Sequence, residues 1–265
     1  MSAATNNMAE GVNKTQLVQD YIMYKVADHP YWKTPFGKVY LDEYNLTSHG
    51  LMLLFASVFM ILVFGLLYRK KDRVPRGFTN LLEVLVLFVR DKIAIANLGE
   101  KEGRAMAPLF CSLFFFILFL NLMGLIPLFT NATGNVNVTA GLAMITLTVM
   151  IGGAIYKNGF MGFIHAFVPH GVPWPVMILL VPIEFLGMFI KAFALTMRLF
   201  ANMLAGSIVV YSIIGLMVIF GAAGAPSLLL GVAIYLLKVF VAFLQAFVFT
   251  LLSALFINQI HHPAH

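Results

Sequence analysis

Residues 176–220 read VMILLVPIEFLGMFIKAFALTMRLFANMLAGSIVVYSIIGLMVIF, and residues 227–260 read SLLLGVAIYLLKVFVAFLQAFVFTLLSALFINQI. Each stretch is longer than the roughly 20 apolar residues that carry a helix across about 30 Å of hydrocarbon. A helix longer than the bilayer is thick accommodates the excess by tilting. The two stretches, separated by Gly221-Ala222-Ala223-Gly224-Ala225-Pro226, therefore predict a strongly tilted helical hairpin. The fold class is an all-α membrane protein.

The composition agrees. Of the 265 residues 61% are hydrophobic and 11% charged, where a soluble domain carries about 25% charged residues. Most of a globule's surface faces solvent, so a water-soluble fold of this size could not hide so much apolar surface. The net charge of +6 does not point to nucleic acid. Nine of the seventeen Lys and Arg residues fall between Arg69 and Arg104, the pattern of a cytoplasmic membrane loop.

Working outward, the run 50–68 forms a first span that ends in Arg69-Lys70-Lys71-Asp72-Arg73. The positive-inside rule places that cluster in the cytoplasm and residues 1–49 outside, as an external N-terminal tail. The tail is charged throughout and shows no cleavable signal peptide. Residues 79–97 repeat apolar side chains at helical spacing but carry Glu83, Arg90, Asp91 and Lys92, which predicts an interfacial amphipathic helix. Residues 106–128 and 138–156 are further spans, joined by an uncharged turn-rich stretch, Thr130 to Asn137. The expectation is about five transmembrane helices (50–68, 106–128, 138–156, 176–220 and 227–260) in a single membrane domain, 50–265, with a cytoplasmic C-terminus. Cys111 lies alone inside an apolar run and reads as a small core residue.

Beyond residue 105 the sequence holds one acid, Glu184, and four permanently basic side chains, Lys157, Lys191, Arg198 and Lys238. A charge at the bilayer centre costs about 2.5–3.5 kcal/mol or more, and such residues mark ion paths by default. Glu184, Lys191 and Arg198 follow one another at steps of seven, which keeps them on one helical stripe with a drift of about 20° per step. Asn202 lies one turn above Arg198 on that face. The second stretch repeats the pattern with Lys238, Gln245 and Gln259. Antiparallel helices would bring the two polar stripes together or toward a shared partner. Simpler readings stand beside this one: Lys191 and Lys238 could snorkel to the interface, and Glu184 could pair with Lys191 along its helix. Arg198 resists both. No acid lies within ten residues of it, and arginine does not deprotonate to escape burial. Its partner then belongs to another chain.

The histidines supply no metal-ligand geometry. His49 opens the first span, His165 and His170 fall in a loop, and the C-terminal trio ends the chain. No nucleotide or hydrolase signature is present, so the sequence implies no cofactor, no metal and no catalysis of its own. Gly and Ala around Ala201, Ala205, Gly206, Gly221 and Gly224 speak for close helix packing.

The segment Met197-Arg198-Leu199-Phe200-Ala201-Asn202-Met203-Leu204-Ala205-Gly206 resembles the R-L-F-x-N-x-x-A-G signature of the a subunit of bacterial F-type ATP synthases. Leu244-Gln245-Ala246-Phe247-Val248-Phe249 resembles that family's L-Q-A-F-[IV]-F segment, and Asn121-Leu122-Met123-Gly124-Leu125-Ile126-Pro127 its N-L-x-[GD]-x-x-P segment. The likeness runs in order from about residue 45 to the end. It implies a non-catalytic subunit of the membrane F0 sector in the bacterial inner membrane, working beside a ring of c subunits and the b subunits of a peripheral stalk. Proton flow through two offset half-channels would then drive rotation. By the same resemblance the ion-translocating residues are Arg198, Asn202 and Gln245, with Glu184 on the cytoplasmic proton path and Lys191 beside it. Ser207 and Lys238 are counted with them, but the best-known pattern has a glutamate and a histidine at these two positions, which leaves the external half-channel open. The alternative is a stand-alone secondary transporter carrying an anionic solute past Arg198. Transporters often show inverted repeats, and no internal repeat is visible.

Overall fold

The structure, a computed structural model, describes residues 15–24, 27, 29–34, 37–40, 47–67, 77–126, 129–165, 174–221 and 225–261. The basic cluster 69–73, the loop residues 166–173, the linker residues 222–224 and the C-terminal residues 262–265 lie outside the described residues.

Residues 15–24 form a helix, α1. Strands β1 (Tyr31–Thr34) and β2 (Gly37–Tyr40) pair antiparallel, with Tyr31 opposite Tyr40. The sequence reading treated 1–49 only as a tail. These elements within it came without a hydrophobic run long enough to announce them. Helix α2 (Ser48–Leu62) continues through a π turn, Val63–Leu67. Helix α3 (Phe78–Phe88) continues through a π stretch, Val89–Ile95, into α4 (Ala96–Met123). Then follow a 3-10 turn (Ala132–Gly134), α5 (Val136–His165), α6 (Trp174–Phe220) and α7 (Ala225–His261). Among the described residues five segments are long and apolar enough to cross a membrane: Ser48–Gly65, Phe78–Met123, Val136–Lys157, Val176–Met217 and Pro226–Ile260. The chain is a multi-pass membrane protein. The last two segments have 42 and 35 residues, or roughly 63 and 52 Å at 1.5 Å per residue, well beyond an upright crossing.

The segments differ from the expected boundaries in instructive ways. The sequence predicts separate helices over 79–97 and 106–128; the helical run is continuous across both apart from Gly99, whose φ of 79° and ψ of 173° leave the helical region. Only glycine takes that conformation without strain. The chain reverses there. A Cβ on Gly103 would lie 2.6 Å from the Ile95 Cα, and the Cys111 thiol faces the Val86 carbonyl at 3.9 Å, two pairs that straddle Gly99. One residue thus does the work of a loop. The amphipathic stripe of 79–97 is visible in this hairpin, with Leu82, Val89, Ile93, Ala94 and Leu98 buried. Arg90 and Asp91 form an ion pair at 2.7 Å on the open side. Helix α4 ends at Met123 rather than at 128, because Gly124, Leu125 and Ile126 turn back onto Leu120, Leu122 and Met123 by backbone hydrogen bonds. Helix α5 runs past Lys157 to His165, with a break at Gly159 (φ 72°).

By its contacts the chain forms two compact units. The first comprises residues 1–58, 118–135 and 200–244. In it Trp32 stacks on Phe129 and meets Phe55 edge-on, tying β1 to α2, while Tyr21 of α1 meets Tyr211 of α6. Gly231 of α7 lies against Ile213 of α6, and Gly206 against Lys238, so these parts of α6 and α7 run antiparallel.

The second unit comprises residues 59–117, 136–199 and 245–265. Its core is aromatic and aliphatic: Phe110, Phe114, Phe115, Ile117, Met150, Met188, Leu195, Leu199 and Phe249 are fully buried. Lys157 of α5 forms an ion pair with Glu102 of α4, which explains a lysine at that helix position without any transport role.

The α3–α4 hairpin supplies a test. Gly103→Ala places a methyl inside the Ile95 backbone, and overpacking of this kind costs about 1–3 kcal/mol. The thermal midpoint of the purified protein in mild detergent is expected to fall, whereas an unchanged midpoint would contradict the close approach.

Candidate functional site

In the second unit, α6 carries Glu184, Lys191 and Arg198 at steps of seven. The buried stripe Met188, Leu195 and Leu199 runs beside them, so the charges flank the packed face instead of sitting in it. Lys191 donates to the Gln259 Oε1 of α7 at 2.6 Å and lies 5.5 Å above the Phe256 ring. The alternative pairing of Lys191 with Glu184 is not made. Glu184 and Arg198 are exposed, and neither has a hydrogen bond or ion pair among the described residues. An arginine stays charged under any condition a protein meets. Its guanidinium is therefore available to an anion from outside the chain.

Gln245, also in this unit, shows the complementary feature. It is 4% exposed, and its Nε2 has no hydrogen-bond partner among the described residues. A buried donor left unmade costs about 1–3 kcal/mol. Ala246, Phe249 and Thr250, its neighbours along α7, are buried as well. One turn further, the Ser253 and Thr146 hydroxyls meet at 3.1 Å, joining α7 to α5.

The first unit holds the other three predicted residues, Asn202, Ser207 and Lys238. Lys238 of α7, a member of the second polar stripe, donates to the Ser207 hydroxyl of α6 at 3.3 Å. The lysine stem lies on Gly206, where a Cβ would come within 3.1 Å of Cε. Asn202 and Lys238 are the polar side chains lining a cavity of about 300 Å³ whose other walls include Met203, Val209 and Leu237. Asn202 itself is half-buried.

Behind Ser207 lies a cluster that the sequence reading missed. Asn131 donates to the Ser207 Oγ at 2.9 Å and to the Met203 carbonyl at 3.1 Å. Thr133 donates to the Asn121 Oδ1 at 2.9 Å and the Asn131 Oδ1 at 3.1 Å. Asn121 donates to the Ala242 carbonyl at 3.4 Å. All of Asn121, Asn131, Thr133 and Ser207 are buried. Gly124 and Gly134 close on Asn131, since a Cβ at either would come within 2.7 or 2.9 Å of its amide. The signal was present in Asn131-Ala132-Thr133-Gly134-Asn135. It read as an external turn because uncharged polar residues between spans usually mean one.

The family described as ATP synthase A chain matches residues 50–258. The ATP synthase subunit a of Anaeromyxobacter sp. (strain Fw109-5) is 44% identical over 234 residues, 86% of this chain and 57% of that relative. The ATP synthase subunit a of Chloroherpeton thalassium (strain ATCC 35110 / GB-78) is 42% identical over 263 residues, 93% of this chain and 78% of the relative. That of Chlorobium phaeobacteroides (strain BS1) is 40% identical over 266 residues, covering 94% and 78%. The chain thus spans a little over half the length of the Anaeromyxobacter relative and most of the other two.

Asn121 tests the cluster as structure. Asn121→Leu removes the acceptor for Thr133 and the donor to α7 within a site that excludes water. A loss of about 1–3 kcal/mol, read as a lower thermal midpoint in detergent, is expected. A midpoint equal to the parent's would show that the cluster does not hold the fold.

Proposed function

Because the chain belongs to the ATP synthase A chain family, we propose that it is the proton-conducting stator subunit of an F-type ATP synthase, working against a ring of c subunits. The observation that supports this reading most is Arg198, an exposed guanidinium in a helix that is long and apolar enough to cross a membrane, without a partner among the described residues. A carboxylate on a neighbouring chain would satisfy it. The subunit itself performs no catalysis. It resides in the bacterial inner membrane with the N-terminus outside and the C-terminus in the cytoplasm, alongside the b subunits of the peripheral stalk.

In this mechanism a proton enters an external half-channel and neutralises a ring carboxylate, which can then rotate into lipid. After nearly a full turn the site meets the cytoplasmic half-channel at Glu184 and releases its proton. Arg198 stands between the two paths. Its charge favours the ionised carboxylate, so the proton leaves before the site passes. The same charge repels protons that would leak straight through, each carrying about 2.3 kcal/mol per 100 mV. Lysine would serve poorly, because desolvation deprotonates it. Gln245, which by resemblance is the family's final-helix glutamine, has an amide donor in a buried position without a partner among the described residues. Asn202, Ser207 and Lys238 belong to the external path, and Lys191, held by Gln259, flanks the cytoplasmic one.

Arg198→Ala is expected to abolish ATP-driven proton pumping by membrane vesicles while the complex still assembles. Normal pumping by that variant would remove Arg198 from the mechanism. A cysteine placed beside Arg198 should cross-link to the outer helix of the ring.

A further inference from the structure

The polar cluster of the first unit begins and ends on α7. It runs from the Lys238 ammonium to Ser207, then Asn131, Thr133 and Asn121, and returns to the Ala242 carbonyl one helical turn beyond Lys238. Its hydrogen-bond accounting is tight. A serine hydroxyl has one hydrogen and two lone pairs. Ser207 gives its hydrogen to the Met203 carbonyl at 2.9 Å and accepts from both Asn131 and Lys238. An amide nitrogen has two hydrogens, and Asn131 spends them on Met203 and Ser207. The single Thr133 hydrogen is shared between the two asparagine carbonyls. Ser207 therefore has no spare capacity to relay a proton.

Lys238 differs. Its stem lies against Gly206, and its ammonium reaches Ser207 at the edge of the cavity that Asn202 also lines. The α6 neighbours facing it are Asn202, Met203, Gly206 and Ser207. The Asn131–Thr133 turn contributes no charge. Along residues 118–135 and 200–244 the other titratable side chains are Tyr211, which meets Tyr21, and Tyr235, which donates to the Leu125 carbonyl at 3.0 Å. No carboxylate occurs in those stretches. The position of the ammonium is thus set by neutral dipoles, and the chain of dipoles is only as rigid as its members.

We infer that Asn131 and Thr133 are positioning residues that act through Ser207 to fix the Lys238 ammonium at the cavity edge, and so set the pH dependence of proton exchange along the external path. The inference rests on the proposed function. It makes Lys238 the proton-exchanging group of this cluster and Ser207 its fixed anchor.

The test uses the assembled complex in membrane vesicles, with initial rates of ATP-driven acidification measured across pH and normalised to the amount of subunit. Thr133→Val keeps the volume and removes the hydroxyl. It is expected to displace the pH profile by about half a unit or more, while Thr133→Ser retains the parent profile. Ser207→Ala should displace the profile as well, and adding Thr133→Val to it should change nothing further. Lys238→Gln should itself lower or abolish pumping, and whatever rate remains should show one profile with and without Thr133→Val. The inference is overturned if the Thr133→Val profile superimposes on the parent's, or if Thr133→Val displaces it equally without Lys238. Should Thr133→Val fail to assemble, the Ser207→Ala profile decides in its place, and superposition on the parent again overturns the inference. Arg198→Ala run in parallel separates the two levels. Pumping by that variant sinks the proposed function, whereas its silence beside an undisplaced Thr133→Val profile sinks only the positioning role.

Discussion

Hydrocarbon offers no hydrogen bonds, so every polar group taken into it needs a partner inside the protein or a reason to be without one. That constraint shapes the molecule at each scale. It selects helices for the five long apolar segments, since a helix satisfies its backbone within itself. It also explains the side chains that return bonds to their own helix, among them Ser57 to Leu53, Thr148 to Met144 and Thr250 to Ala246. Where two helices meet, polar groups join instead across the gap, as Thr146 and Ser253 do.

Against that background the exceptions carry meaning. Asn121, Asn131, Thr133 and Ser207 are buried and bonded to one another or to backbone. Arg198, Glu184 and the Gln245 amide are not bonded among the described residues. They belong to one unit, along the parts of α6 and α7 that contribute to it. A charge left open on a membrane helix is an expensive feature, and an external partner is the simplest way to offset it. The contrast between satisfied and unsatisfied polar groups divides these residues more sharply than residue type does.

Glycine marks the places where backbone geometry had to yield. At Gly99 a positive φ replaces an entire loop, and Gly103 lets the two arms of the resulting hairpin touch backbone to backbone. At Gly124 and Gly134 the missing Cβ makes room for a single asparagine amide. Gly206 does the same for the stem of Lys238. Small residues serve close helix approach in membranes. Here three of them serve the placement of two polar side chains.

Much was legible without coordinates. The membrane class, the long terminal pair of helices and the stripe of Glu184, Lys191 and Arg198 follow from hydropathy and from a repeat of seven, both local properties of the chain. The family signature around Arg198 and Gln245 is equally local. Other features were decided only by the fold. The reversal at Gly99 could not be read, because a glycine inside a helical pattern announces a break no more clearly than a packing site. Lys191 could as well have paired with Glu184, and only the approach of α7 gave it Gln259. The joining of Asn121, Thr133 and Asn131 with Ser207 and Lys238 spans more than a hundred residues of sequence. Hydropathy and periodicity report what a residue does to its own helix. Which partner a polar side chain finds across a gap depends on how the helices pack, and the tertiary structure alone determines that.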